Sequence, residues 1–479
     1  MHSPLDVLKQ RFGFQKFRGC QAEIIDHLLS GRHVLTIMPT GSGKSLCYQI
    51  PALLMANRDK YQPIQTNPLT LVISPLIALM KDQVDVLQQK GIDCTYINSS
   101  LSASQRNERY QKVAAGEFEI LYVTPERFRK PEYQEALRRR KVVLLAVDEA
   151  HCISHWGHDF RPDYSRLAEI RKMLDNPVTI ALTATATAAV RQDILKQLGL
   201  SDGDIRVFHG GIDRPNLSLK IEQVIDDDQK KLAILKEFAS IGGSGIVYFT
   251  LIKTLTEFSD FMLHKKINHL VYHGDLTAGQ RAKHQEQFMT QPDQLVLATN
   301  AFGMGIDKED IRFVIHAELP GSLEAYYQEI GRAGRDGQPS ECLLLYDQRD
   351  LATQMEFLDW SNPQTSFIQH TFDVLKKDLE RVNAYGIDWL REQVQHKQKS
   401  DRRLETTLAL FDRWGVIEGS LDPLNIASLA SQLPTRLTDD RAIQEKKQYD
   451  LQRLQALIDF IRCDGDLKEF LNGYFLPSK

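Results

Sequence analysis

The sequence predicts an α/β protein: two tandem, doubly wound parallel-sheet domains followed by a mostly helical C-terminal region. Three observations lead there. Short apolar runs recur along the chain, each followed by a longer stretch of helical periodicity. The runs are apolar throughout instead of alternating, which is the pattern of parallel strands buried on both faces. This rhythm occurs in two successive blocks and stops near residue 350.

The first domain is expected over residues 1–207, with strands at 33–39, 69–75, 94–98, 118–125, 142–149 and 178–185. The second is expected over 208–348, with strands at 244–250, 269–274, 295–300, 313–319 and 341–347. Each is long enough to support its own core. The segment "VFHGGIDRPNLSLKI" (207–221) reads as the joint between them. Residues 349–479 read as an accessory region with long polar helical faces. Within it, "DRRLETTLALFDRWGVIEG" (401–419) is an amphipathic helix, a glycine stop and a short strand. That pattern fits either the last helix and wing of a winged-helix module or a plain helical tail on the second domain. The run "RRRK" (138–141) reads as the solvated end of a helix ahead of a buried strand.

Hydrophobic content of 42% and charged content of 25% are those of a globular protein. The N-terminus lacks a basic stretch followed by an apolar one, so no secretory signal is expected. The longest apolar runs, such as "VVLLAV" (142–147), are too short to span a bilayer. The six cysteines are scattered without a C-x-x-C pair, which argues for reduced thiols and a cytoplasmic setting, nucleoid-associated in a bacterium. A formal charge of −4 means that any nucleic-acid binding must rest on a local groove and not on a global field.

Chemistry concentrates at three places. In "HVLTIMPTGSGKSLCYQIPALL" a strand runs into a glycine loop and a helix start. Gly41 and Gly43 let backbone N–H groups turn toward phosphate oxygens, Lys44 can reach the β- and γ-phosphates, and Ser45 can ligate Mg²⁺. Met38 stands where the strict phosphate-loop pattern has glycine. At the end of a second strand, Asp148 and Glu149 form an acid pair suited to hold Mg²⁺ through water and to activate the attacking water, respectively. In the second domain, "YYQEIGRAGRDG" (326–337) spaces Arg332 and Arg335 three apart, which on a helix points both to one side, with Gln328 four before Arg332. Two guanidinium groups on a separate domain suit charge stabilisation of a γ-phosphoryl transition state across a cleft.

The segments "MPTGSGKS", "VISPLIALMKDQ", "YVTPERF", "DEAH", "LTATAT", "VLATNAFGMGID" and "QEIGRAGRDG" stand in the order of the motifs of second-superfamily helicases. More narrowly, "FGFQKFRGCQAEII", "DEAHCISHWGHDFRPDY" and "YYQEIGRAGRDG" resemble the RecQ family of DNA helicases, over roughly residues 8 to 350. The resemblance implies two RecA-like lobes sharing one ATP. It implies that Arg18 and Gln21 recognise adenine, that Met38, Pro39 and Thr40 through Ser45 (Thr40, Gly41, Ser42, Gly43, Lys44, Ser45) bind the nucleotide, and that Asp307 lines the same cleft. Gln328, Arg332 and Arg335 match the second-lobe residues that meet the γ-phosphate.

The segment after the acid pair is rich in aromatics yet poor in aliphatics. In RecQ-like helicases it senses single-stranded DNA, which implies that His151, Trp156, Asp159, Phe160 and Arg161 couple strand binding to the ATP site. The family further implies movement from 3′ to 5′ on single-stranded DNA, unwinding of forked duplexes and work in repair or recombination. RecQ proteins usually carry a four-cysteine zinc module after the core. Here Asp466 stands in the first ligand position and Cys463 is out of register, so no zinc is expected, and a replaced helical platform is expected instead. Two other readings stay open: an RNA helicase or remodeller on the same lobes, and a nucleic-acid-binding scaffold with a vestigial ATPase. The sequence identifies no protein partner and no membrane attachment.

Overall fold

The computed structural model describes residues 3–58, 68–154, 162–303, 306–395 and 401–476. Its first sheet contains β1 (His33–Ile37), β2 (Leu69–Ile73), β3 (Cys94–Ile97), β4 (Ile120–Val123), β5 (Val142–Val147), β6 (Val178–Thr183) and β7 (Ile205–His209). They lie in the order β3-β4-β2-β5-β6-β1-β7, all parallel. The second sheet contains β8 (Leu217–Gln223), β9 (Ser244–Tyr248), β10 (Leu270–Tyr272), β11 (Leu295–Ala298), β12 (Ile311–His316) and β13 (Ser340–Tyr346). Its order is β10-β11-β9-β12-β13-β8, again parallel throughout.

Central strands such as β2 are buried at every residue because helices cover both faces. Alternate side chains of β1 feed opposite cores: Leu35 and Ile37 join one, Val34 the other. Each fully buried Leu, Ile or Val contributes about 1.5–3 kcal/mol to holding the layers together. Two strands escaped the sequence reading, β7 and β8, and both are sheet edges. Their outward residues stay exposed, so neither reads as a continuous apolar run. Because β7 pairs with β1 through His209, the expected cut at 207/208 falls inside a strand, and the joint between the lobes is residues 210–216. The run at 138–141 also differs from expectation. Arg140 is buried and donates to the carbonyls of Val113 (2.8 Å) and Phe118 (2.8 Å), tying a helix end and a loop beneath the sheet.

Among the helices, α1 (Leu46–Arg58) follows the glycine loop and α2 (Leu323–Ile330) precedes the arginine-bearing turn. Beyond the second sheet come α3 (Gln348–Ser361), the helical run α4 (Thr365–Val394), broken at Asp378 and Gly386, and α5 (Arg403–Arg413). Gly415 then takes φ +67° and the chain enters an antiparallel hairpin, β14 (Ile417–Leu421) and β15 (Leu424–Leu429). Helix and hairpin close their own core around Phe372, Leu408, Phe411, Val416 and Ile426, as a helix-and-wing unit does.

The last two helices, α6 (Asp440–Ile461) and α7 (Leu467–Phe475), belong elsewhere. Leu454, Leu457, Phe460, Leu471 and Phe475 complete the core of the second lobe, so residues 349–479 are not one accessory unit. A buried polar clamp reinforces the docking. Arg453 donates to Glu324 (3.2 Å) and to Ser322 (2.7 Å), and the Tyr474 hydroxyl donates to Glu324 (2.8 Å). Asp466, in the expected zinc-ligand position, caps α7 by accepting from the N–H groups of Lys468 (2.6 Å) and Glu469 (3.1 Å). Among the described residues no group of three or more His, Cys, Asp or Glu side chains is placed to hold a metal ion, and no helix is long and apolar enough to cross a membrane.

Removing one partner of the clamp leaves a buried charge unpaired. Arg453→Ala should therefore destabilise the protein by about 3–5 kcal/mol, read as a lowered midpoint of urea unfolding.

Candidate nucleotide site between the two lobes

The sheet order places the site. Strands β5, β6 and β1 are neighbours, so the acid pair, Thr183 and the glycine loop leave adjacent strand ends on the same edge. Thr183 joins the other two. Its carbonyl accepts from Met38 N (3.0 Å), fixing where the glycine loop departs, and its hydroxyl lies 3.1 Å from His151 Nδ1. That hydroxyl donates its hydrogen to Thr185 O (2.9 Å), so His151 carries its proton on Nδ1.

The glycine loop is tightly held. Gly41 and Gly43 have φ of +74° and +79°, values that favour residues without a Cβ. Lys44 Nζ donates to Met38 O (3.1 Å), and Ser42 Oγ to Pro39 O (2.7 Å). Gln21 braces the loop from outside. Its amide nitrogen donates to Ser42 O (3.0 Å) and Gly43 O (3.1 Å), while its oxygen accepts from Arg18 N (2.9 Å). Gln21 thus stands beside the loop with the Arg18 N–H bonded to it, and its amide is engaged with backbone at both ends.

Asp148 follows β5 directly, its N–H bonded to Ile73 O (2.8 Å). Burial pushes its carboxyl well above the ordinary carboxylate range, the neighbouring Glu149 charge adds to the effect and Lys44 opposes it. Glu149 sits at φ +48°, an uncommon conformation for a side chain of its size. Its Oε2 is buried without a hydrogen-bond donor and lies 3.4 Å from His151 Nδ1. A strained acid with an unsatisfied buried oxygen is a group held ready for a ligand.

The second lobe supplies the opposite wall. Here the expectation of one helical face for both arginines is corrected: α2 ends at Ile330, and residues 331–337 form turns, with Gly334 and Gly337 at φ +57° and +82°. The glycines that argue against a surface helix in fact end it. The two side chains therefore diverge. Arg332 donates to the carbonyl of Gly303, within its own lobe. Arg335 pairs with Asp307 and crosses the cleft, where a Cβ on Gly41 would meet its Cγ at 3.1 Å. The Thr40 hydroxyl donates to Gly331 O (2.9 Å), joining glycine loop and turn directly. Gln328 is half-buried in the last turn of α2. Ser45 closes the loop, its carbonyl accepting from Gln49 N (3.0 Å).

Trp156, Asp159, Phe160 and Arg161 lie outside the described residues. The flanks of their segment are anchored: Ser154 Oγ donates to Asp193 (2.8 Å), and Asp163 accepts a bidentate pair from Arg129 (2.6 and 2.7 Å). Sequence reasoning quoted Thr183 only within a motif and passed over Arg214 and Asn216 in the joint, which contact the arginine-bearing turn. The sole signal for those two was their position between blocks.

The chain matches the DEAD/DEAH box helicase family over residues 18–194 and the helicase conserved C-terminal domain over 230–337. It is 39% identical over 398 residues to the ATP-dependent DNA helicase RecQ of Haemophilus influenzae, covering 82% of this chain and 62% of that protein. It is 34% identical over 475 residues to the probable ATP-dependent DNA helicase RecS of Bacillus subtilis, covering 98% of this chain and 88% of that one. The chain belongs to the RecQ family. This RecQ-family chain spans only 53% of the RecQ protein of Pasteurella multocida and 61% of that of B. subtilis. Its fold is similar to that of Mss116p bound to single-stranded RNA and AMP-PNP (TM-score 0.59, 15% identity, 95% of this chain and 90% of that one).

A Cβ at Gly43 would stand 2.7 Å from the Gln21 amide nitrogen, at a φ that costs an L-residue about 1–2 kcal/mol. Gly43→Ala should lower unfolding free energy by about that amount and weaken binding of a fluorescent ATP analogue, as read by denaturation and titration.

Proposed function

We propose that this chain is an ATP-dependent DNA helicase or translocase of RecQ type, which hydrolyses ATP with Mg²⁺ to move 3′ to 5′ on single-stranded DNA and open forked duplexes in repair or recombination. One observation carries the reading. A glycine loop on one lobe and an arginine-bearing turn on the other meet across a cleft, at Thr40–Gly331 and Arg335–Gly41, with an acid pair beside them. The relatives named as ATP-dependent DNA helicases support DNA as the substrate class.

The residues fit a magnesium–nucleotide complex. Gly41 and Gly43 let Arg335 and Gln21 pack against the loop where a Cβ would collide, Ser45 and Asp148 offer oxygen ligands, and Glu149 holds an unsatisfied buried oxygen. The cation, when bound, neutralises charge on the phosphate oxygens. In this reading Lys44 exchanges Met38 O for phosphate, and Gln21 exchanges one of its backbone bonds for the adenine edge. Glu149 orients and deprotonates water. Arg335 stands across the cleft to stabilise the developing charge, and Arg332 holds the turn against the Gly303 segment. Loss of the γ-phosphate removes what Arg335 grips, so the lobes part, and each cycle advances the strand. The segment holding Trp156 and Phe160, anchored at Ser154 and Asp163, links base stacking to the acid pair through His151.

Steady-state ATP hydrolysis is the deciding measurement, run without nucleic acid, with single-stranded DNA and with single-stranded RNA of the same sequence. Stimulation by DNA is expected, and equal or greater stimulation by RNA overturns the substrate. Glu149→Gln should lower turnover roughly 10²–10⁴-fold. Trp156→Ala should leave basal hydrolysis in place and abolish most of its stimulation by DNA.

A further inference from the structure

The joint between the lobes holds an arginine whose position is not that of a simple linker residue. After β7, Gly210 N still donates to Ile37 O (2.9 Å) and so belongs to the first lobe. From Ile212 onward the joint belongs to the second lobe. The Tyr327 hydroxyl of α2 donates to Ile212 O (2.8 Å), and Lys468 of α7 reaches Arg214 O and Pro215 O (both 3.3 Å). Asn216 donates to Gly334 O (2.8 Å) and Gln338 O (2.9 Å). Between these two attachments lies Gly211, at φ +76°, where a Cβ would have Asp213 N as its one neighbour, at 4.0 Å. It is the residue of the joint that neither attachment holds.

Arg214 stands just past Gly211. Its guanidinium donates to Ala333 O and Gly334 O (both 2.8 Å) and, at longer range, to Gly331 O and Thr40 O (both 3.4 Å). Among the described residues it has no carboxylate within ion-pair distance, so its donors are spent on main-chain carbonyls. Three of these flank Arg332 and lie just before Arg335 in the turn. The fourth belongs to Thr40, in the glycine loop of the other lobe. A planar fork bonded to several peptide carbonyls fixes a turn that glycines would otherwise leave loose.

We propose that Arg214 is a positioning residue for ATP hydrolysis: it holds the arginine-bearing turn in shape and registers that turn against the glycine loop when the lobes close about Gly211. Lys468 grips the same stretch of backbone from the C-terminal helix, so the tail supports the device from behind. The proposal rests on the ATPase reading above, and its test separates the two.

Arg214→Ala and Arg214→Lys are compared with the unaltered full chain. DNA-stimulated turnover, affinity for AMP-PNP and affinity for ADP with aluminium fluoride are measured, together with hydrogen exchange of the amides of residues 331–337 in nucleotide-free protein. In Arg214→Ala, turnover should fall roughly 10- to 100-fold while the KM for ATP stays within about threefold. Affinity for ADP–aluminium fluoride should fall by the same factor as turnover, affinity for AMP-PNP should hold, and exchange in 331–337 should quicken. The lysine variant, which keeps charge but not the fork, should fall between the two. Equal losses of AMP-PNP and ADP–aluminium fluoride affinity would assign a merely structural role and overturn the proposal, as would unchanged turnover with unchanged exchange. If the unaltered chain fails to hydrolyse ATP, the ATPase reading falls; quickened exchange in the variants would still support Arg214 as the holder of the turn, and unchanged exchange would overturn it.

Discussion

The hydrogen bond from the Thr40 hydroxyl to the Gly331 carbonyl is a short polar bridge between two separately folded sheets. Each lobe buries its apolar residues in a core of its own. What faces the cleft is main chain, hydroxyl and charge. Such contacts are worth little net free energy each, because water competes for the same groups. In the proposed cycle they are made and broken at each turnover, whereas an apolar seam of similar area would hold the lobes shut.

The same logic explains where rigidity is placed. Groups that must not drift are held by buried or multiple bonds: the glycine loop by Gln21 and Thr183, and the arginine-bearing turn by Arg214 and Asn216. Glu149, by contrast, keeps an unsatisfied oxygen and a positive φ, a local cost that the surrounding strand ends sustain. The C-terminal region follows the division too. Residues 368–390 and 404–437 close a small core of their own, while α6 and α7 return to brace α2 through Arg453, Glu324 and Tyr474. Asp466 caps α7, and packing and a buried ion pair hold this tail onto the second lobe.

Most of the architecture was legible in the order of residues. Strands buried on both faces announce themselves as unbroken apolar runs, and a glycine loop between strand and helix carries its own spacing. Edge strands β7 and β8 were not legible, because half their residues face solvent and their pairing partners are distant in sequence. The helical reading of Arg332 and Arg335 failed for a related reason. Three-residue spacing is common to helices and to runs of turns, and only the glycine conformations tell them apart. Arg140, inside a basic run, looked solvated; its burial is set by a loop end and a helix end that approach only in the folded chain.

By itself, then, the sequence determined the fold class and the two-lobed plan, since periodicity and motif spacing are local properties. The tertiary structure alone decided that Arg332 turns to its own lobe while Arg335 crosses the cleft, that Gln21 braces the glycine loop, and that Arg214 joins both walls. Those outcomes depend on which carbonyls and side chains are brought within about 3 Å by elements far apart in the chain, and no local pattern encodes such a distance.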